Sequence, residues 1–119
     1  MHEFGLCDAI VEAVQRRAQG RPVAHVRVRA GALLRIADGA FAQAFAHAAT
    51  GTEAEHSTVD LVVLPARARC RDCNQETEST TLIAVCQHCG GVDLALTGGE
   101  ELILESIEYA APDNAPVAG

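Results

Sequence analysis

Residues 66–91 read ARARCRDCNQETESTTLIAVCQHCGG. The cysteines fall as Cys70-x2-Cys73-x12-Cys86-x2-Cys89. Two residues between a pair of cysteines let a tight turn aim both sulfurs at one ion. Two such turns complete a tetrahedron, which suits Zn²⁺. The twelve residues between Cys73 and Cys86 are enough for a hairpin. Gly90 follows Cys89, where the turn needs backbone without a Cβ. Four thiolates leave no open position on the metal, so the predicted site is structural. A redox dithiol would need only one such pair, and a rubredoxin-type iron site usually spaces its pairs much farther apart. His88, inside the second pair, is read as solvent-facing. Cys7 stands apart and reads as a small buried apolar residue.

Working outward, the flanks show helical and strand periodicities. Over residues 4–19, Leu6, Ile10, Ala13 and Val14 recur at helical spacing, and Gly20-Arg21-Pro22 ends the run. Residues 23–30 alternate, with Val26, Val28 and Ala30 on one face and Arg27 and Arg29 on the other. Asp38 reads as the N-cap of a second helix over 39–49, with Phe41, Phe45 and Ala48 on one face. Residues 58–64 read as a strand closed by Pro65. Residues 92–97 and 101–109 read as two strands joined in a hairpin at Gly98-Gly99. The tail, 111–119, has a disordered composition.

The chain has 119 residues, enough for one domain with a small satellite. Phe4, Phe41, Phe45 and Tyr109 are its only aromatic residues, so the core must be Ala, Val, Leu and Ile. A structural metal would support a core that thin. Net charge is −7, unevenly placed: all nine basic residues are arginines between Arg16 and Arg71, and nine acids follow from Asp72 on. An acidic C-terminal half repels phosphate and argues against nucleic acid as a partner. No apolar run is long enough for a membrane span. The N-terminus lacks the basic start and apolar stretch of a signal peptide, so a cytoplasmic location is expected. In that compartment cysteines serve as thiolates or metal ligands more often than in disulfides. No nucleophile–base pair, phosphate loop or acid–base carboxylate pair is recognisable, so no enzyme is expected. His25 in a strand, His47 in a helix and His56 in a polar loop read as structural or surface residues.

The chain opens Met1-His2-Glu3-Phe4. The Met1 amine, the amide nitrogen and imidazole of His2, and the amide nitrogen of Glu3 can form a four-nitrogen set. In-plane nitrogen donors favour Ni²⁺ or Cu²⁺ over Zn²⁺. The plainer reading is that His2 is incidental and Glu3 complements the helix macrodipole.

With these residues in hand, the sequence resembles the HypA/HybF family of hydrogenase nickel-incorporation proteins over about residues 1–110. MHEFGLCDAIVEAV resembles its opening and first helix, and VRVRAGALLRIADGAFAQAF its strand, Gly turn and second helix. RARCRDC and VCQHCGG resemble its zinc loop, and GGEELILESIEYA its last strand. The departures are Ala32 after Gly31, Asp38-Gly39-Ala40 before the second helix, and Gln87 and Gly91 in the zinc loop. None touches a proposed ligand.

The resemblance implies a nickel metallochaperone. Ni(II) would be bound at Met1, His2 and Glu3, and Zn(II) at Cys70, Cys73, Cys86 and Cys89. It implies an α+β fold: two helices on a small mixed three-stranded sheet, plus a zinc-ribbon-like four-cysteine domain. Residues 1–65 and 99–110 would form the nickel-binding domain, to whose sheet the last strand returns, and 66–98 the zinc domain. Implied partners are a nickel-handling maturation GTPase of the HypB type and the NiFe hydrogenase large subunit. No nucleic acid or membrane is involved, and the chain is expected as a monomer or weak homodimer.

Overall fold

The computed structural model describes residues 2–81 and 83–111, and for His2 and Glu3 the backbone alone. Apart from Ala111, the expected tail lies outside the described residues. The first helix, α1, spans His2–Ala18, and the second, α2, spans Asp38–Ala49. Strand β1 is Val23–Gly31, followed by a single 3-10 turn at Ala32–Leu34. Then come β2 (Thr58–Leu64), β3 (Ala66–Cys70), β4 (Glu76–Ser79), β5 (Leu94–Thr97) and β6 (Leu102–Tyr109). The strands form two three-stranded sheets, in the orders β2-β1-β6 and β4-β3-β5. No helix among the described residues is long and apolar enough to cross a membrane.

The chain forms two compact units. The first comprises Met1–Val28, Ile36–Leu61 and Ile103–Gly119, and the second Arg29–Arg35 and Val62–Leu102. The core of the first unit comprises the apolar stripe of α1 packed against that of α2, together with the buried face of β1. Cys7, Ile10, Val11, Val14 and Ala18 are buried on α1, Phe41, Ala44, Phe45 and Ala49 on α2, and Val23, Val26 and Val28 on β1. These positions on α1 recur every three or four residues, as one helix face requires. Cys7 is buried as expected, but the face is turned slightly from the one expected, taking in Val11, while Leu6 and Ala13 are half-buried. Cys7 closes the helix pair from inside, its thiol donating to the Phe41 carbonyl at 3.6 Å. Arg17 reaches the Leu104 carbonyl at 3.3 Å, and the Tyr109 hydroxyl donates to the Arg17 carbonyl at 3.2 Å. β6 is thereby tied to the end of α1.

The second unit is built differently. β3 is its central strand and pairs antiparallel with both neighbours: Ala68 lies opposite Thr77 on β4 and Leu96 on β5. Ala66, Ala68 and Cys70 alternate inward along β3, and Arg67 and Arg69 outward. Arg67 meets Glu78 across the ladder at 3.0 Å, an exposed pair worth little energy.

Three expectations need correcting. The Gly98-Gly99 pair does not join a hairpin: β5 pairs with β3, while β6 lies beside β1 in the other sheet. Asp38 does not cap α2. The cap residue is Ala37 with no side-chain bond, and Asp38 lies inside the first turn, where its charge complements the macrodipole. Residues 66–79, which the sequence left without strands, hold β3 and β4.

Candidate metal centre

The four cysteines of the double motif come together. Their sulfurs all lie within 4.8 Å of one another, a group able to hold a metal ion. Two matching backbone turns put them there. In the first, the Cys70 N–H donates to the Gln75 carbonyl at 2.9 Å and the Asn74 N–H to the Cys70 carbonyl at 2.7 Å. In the second, the Cys86 N–H donates to Gly91 and the Gly90 N–H to Cys86, both at 2.8 Å. The residue after the second cysteine is left-handed in each turn, Asn74 at φ 68° and Gly90 at φ 76°. Glycine and asparagine are the residues that tolerate this region best. Asn74 is the site residue the sequence reading missed, and its signal was the position it shares with Gly90. Gly91 serves a different need: a Cβ there would stand 2.6 Å from Asp72 Oδ2 and 3.3 Å from Cys89 Sγ.

The spacing fits a tetrahedral thiolate site. Metal–sulfur bonds of ~2.3 Å at tetrahedral angles set sulfurs about 3.8 Å apart. Cys70 and Cys89 are 3.6 Å apart here, as are Cys73 and Cys86. Cys70 and Cys86 are buried, Cys73 is half-buried and Cys89 is exposed. None of the five cysteines, all of them described, is in a disulfide. His88 is exposed and enters the site through its backbone, its N–H reaching Cys86 Sγ at 3.3 Å.

Crowding splits the acidities of Cys73, Cys86 and Cys89. The N–H groups of Cys89 and His88 point at Cys86 and pull it down to about 6. At Cys89 the Gly91 amide lowers the value, but the neighbouring Cys70 and Cys73 thiols push it up to about 12. Cys73 is also raised: the Gln75 amide pulls it down, and desolvation with the Cys86 thiol outweighs that pull. Without a cation, then, Cys86 is ionised at neutral pH while Cys73 and Cys89 keep their protons. A metal needs thiolates, so binding must expel those protons. Loading at neutral pH is expected to release the single protons of Cys73 and Cys89, at least two in all, and affinity to rise with pH. Cys86 adds to that slope only below about pH 6. Calorimetry in buffers of different ionisation heat counts the protons, and a count of zero would refute this picture.

The remaining histidines sit elsewhere. His25 lies between Thr58 Oγ1 at 2.6 Å and Asp60 Oδ2 at 3.0 Å, joining β1 to β2. His56 is an exposed loop residue at φ 71°. His47, on α2, packs edge-on against the Phe4 ring. Met1 lies outside the described residues, and the backbone of His2 and Glu3 opens α1.

The family described as hydrogenase/urease nickel incorporation, metallochaperone, HypA, matches residues 1–109. The chain belongs to this family. HypA of Nostoc punctiforme is 36% identical over 108 residues, covering 91% of this chain and 95% of that relative. The hydrogenase maturation factor HybF of Klebsiella pneumoniae is 32% identical over 111 residues, 91% of this chain and 98% of its own. The solution structure of the Ni metallochaperone HypA from Helicobacter pylori shares the fold, with a TM-score of 0.58 at 24% identity. It covers 93% of this chain and 99% of that one. HypA proteins are metallochaperones and maturation factors, a carrier class and not an enzyme class. This chain is a HypA-family nickel-incorporation protein with a four-cysteine site able to hold a metal.

Proposed function

We propose that the chain binds Ni(II) through Met1, His2 and Glu3 and delivers it to the large subunit of NiFe hydrogenase during maturation. Zn(II) at Cys70, Cys73, Cys86 and Cys89 plays a structural part. Residues 1–65 and 99–110 form the nickel-binding domain and residues 66–98 the zinc domain. A HypB-type GTPase supplies nucleotide hydrolysis, and the exchange takes place in the cytoplasm. The family description joins hydrogenase to urease, and hydrogenase is the client carried in the relatives' names.

The observation that carries the nickel reading is that α1 begins at His2. The first four N–H groups of a helix have no intrahelical partner. The amide nitrogens of His2 and Glu3 are among them, so nickel can take these nitrogens without breaking a helix bond. With the Met1 amine and the His2 imidazole they make a planar nitrogen set, which suits Ni(II). A ligand set drawn from one chain end leaves the ion open to an acceptor. The zinc assignment is supported by four soft sulfurs at tetrahedral spacing, a cluster that no fifth His, Cys, Asp or Glu ligand joins among the described residues.

The test is a calorimetric nickel titration of untagged protein beside His2→Ala, with zinc content measured on both. The untagged chain is expected to bind one nickel, and His2→Ala none at equal zinc. Equal nickel binding by the two would sink the N-terminal assignment. An N-terminal tag that blocks the amine should act like His2→Ala.

A further inference from the structure

The second half of α2 reads AFAHAA, so His47 is its one polar side chain. That side chain turns toward α1. Its ring meets Phe4 edge to face, with centroids 5.6 Å apart and planes at 84°. A basic residue in the last turn of a helix complements the macrodipole, which accounts for a histidine there. It does not account for the ring's placement on Phe4. Phe4 directly follows Met1-His2-Glu3, and at 43% exposure its ring is only partly covered, with His47 packed against it.

We infer that His47 is a positioning residue for nickel: its ring holds Phe4, and Phe4 holds the first turn of α1 where the nickel-binding tripeptide begins. This rests on the N-terminal nickel reading. A chelate closed by a free chain end must order that end when the ion binds, and ordering costs affinity. An aromatic contact one residue past the ligands orders the turn beforehand. The contact is edge-to-face, the arrangement in which aromatic pairs attract beyond their buried area. The packing face of the ring carries this role, and its nitrogens do not coordinate the ion.

Four untagged proteins test this: the unaltered chain, His47→Ala, His47→Phe and His2→Ala. Nickel affinity is read by competition with a coloured chelator, the ligand set by the visible absorption of bound nickel, and the fold by thermal melting without nickel. His47→Ala is expected to weaken nickel about three- to tenfold, the range an aromatic pair allows, with the absorption band unmoved. His47→Phe, which keeps a ring and lacks the nitrogens, is expected to bind as the unaltered chain does. If His47→Ala binds normally while His2→Ala does not, the positioning role is wrong and the N-terminal site stands. If His47→Phe weakens binding as far as alanine does and the band shifts, His47 is a ligand and the positioning role is again wrong. If His2→Ala binds normally, the N-terminal reading fails and takes this inference with it.

Discussion

Replacing Cys70 by serine is expected to abolish metal binding and unfold the second unit while both helices persist. The reason is what that unit buries. Among its described residues, the buried side chains are Ala30, Ala66, Ala68, Cys70 and Cys86. None is larger than cysteine. Alanines on a short central strand cannot offset the conformational entropy of the loops between Cys73 and Cys86. A structural zinc site contributes on the order of 10 kcal/mol in small zinc-dependent folds, against about 5–15 kcal/mol for a whole domain. The metal therefore stands in for a hydrophobic core. The first unit has its own core, with Phe41, Phe45, Val14, Val26 and Val28 fully buried, and both helices lie in it. Hydrogen exchange at the amides of Cys70, Asn74, Cys86 and Gly90 reports the two turns directly, and far-ultraviolet dichroism reports the helices. Lost protection at those amides with an unchanged helical signal is the expected pattern. Continued protection in the metal-free variant would show that the turns hold themselves and that the metal is a passenger.

The contrast between the units also explains what could be read from the sequence. The four-cysteine site was legible because its geometry is local: each pair fixes its own turn by backbone bonds within six residues. The helices were legible because Ile10, Val14, Phe41 and Phe45 are large enough to mark a face. β3 was missed because its inward residues are Ala66, Ala68 and Cys70. Their alternation with Arg67 and Arg69 is regular, but side chains so small read as neutral rather than apolar. Gly98-Gly99 misled for another reason. Positive φ at both residues suits a two-residue hairpin, and both have it, at 71° and 82°. The conformation was right and its use was not. The pair carries the chain from a strand of one sheet to a strand of the other, where Gly99 meets Gly31, and no local signal reports a partner 68 positions away.

That meeting makes Gly31→Ala the most damaging single methyl group the second unit could receive. The backbone of Gly31 is ordinary extended chain, φ −69° and ψ 147°, so alanine would cost nothing in conformation. The cost is space. A Cβ at Gly31 would lie 2.0 Å from the Gly99 carbonyl carbon, 2.1 Å from its oxygen and 2.5 Å from the Glu100 nitrogen. All three are backbone atoms, so no side chain can rotate away. Nor can the segment drift: the Gly31 N–H donates to the Glu101 carbonyl and the Leu33 N–H to the Gly99 carbonyl, each at 2.7 Å. Behind Gly99 stand Ala66 and Leu33, close enough that a Cβ at Gly99 would itself come within 2.8 Å of the Ala66 Cβ. Relief therefore means breaking those two hydrogen bonds or displacing β3, the strand that ends in Cys70. Overpacking alone commonly costs about 1–3 kcal/mol, and a clash with fixed backbone belongs at or above the top of that range. Gly31→Ala is expected to lose at least about 3 kcal/mol in a urea titration of metal-loaded protein. Gly39→Ala is the control, because nothing lies within 4 Å of a Cβ there and the position is helical. It should be neutral or stabilise by up to about 1 kcal/mol. Equal midpoints for the two variants would mean that the Gly31–Gly99 approach can open at little cost, and that the second unit is held by its metal alone.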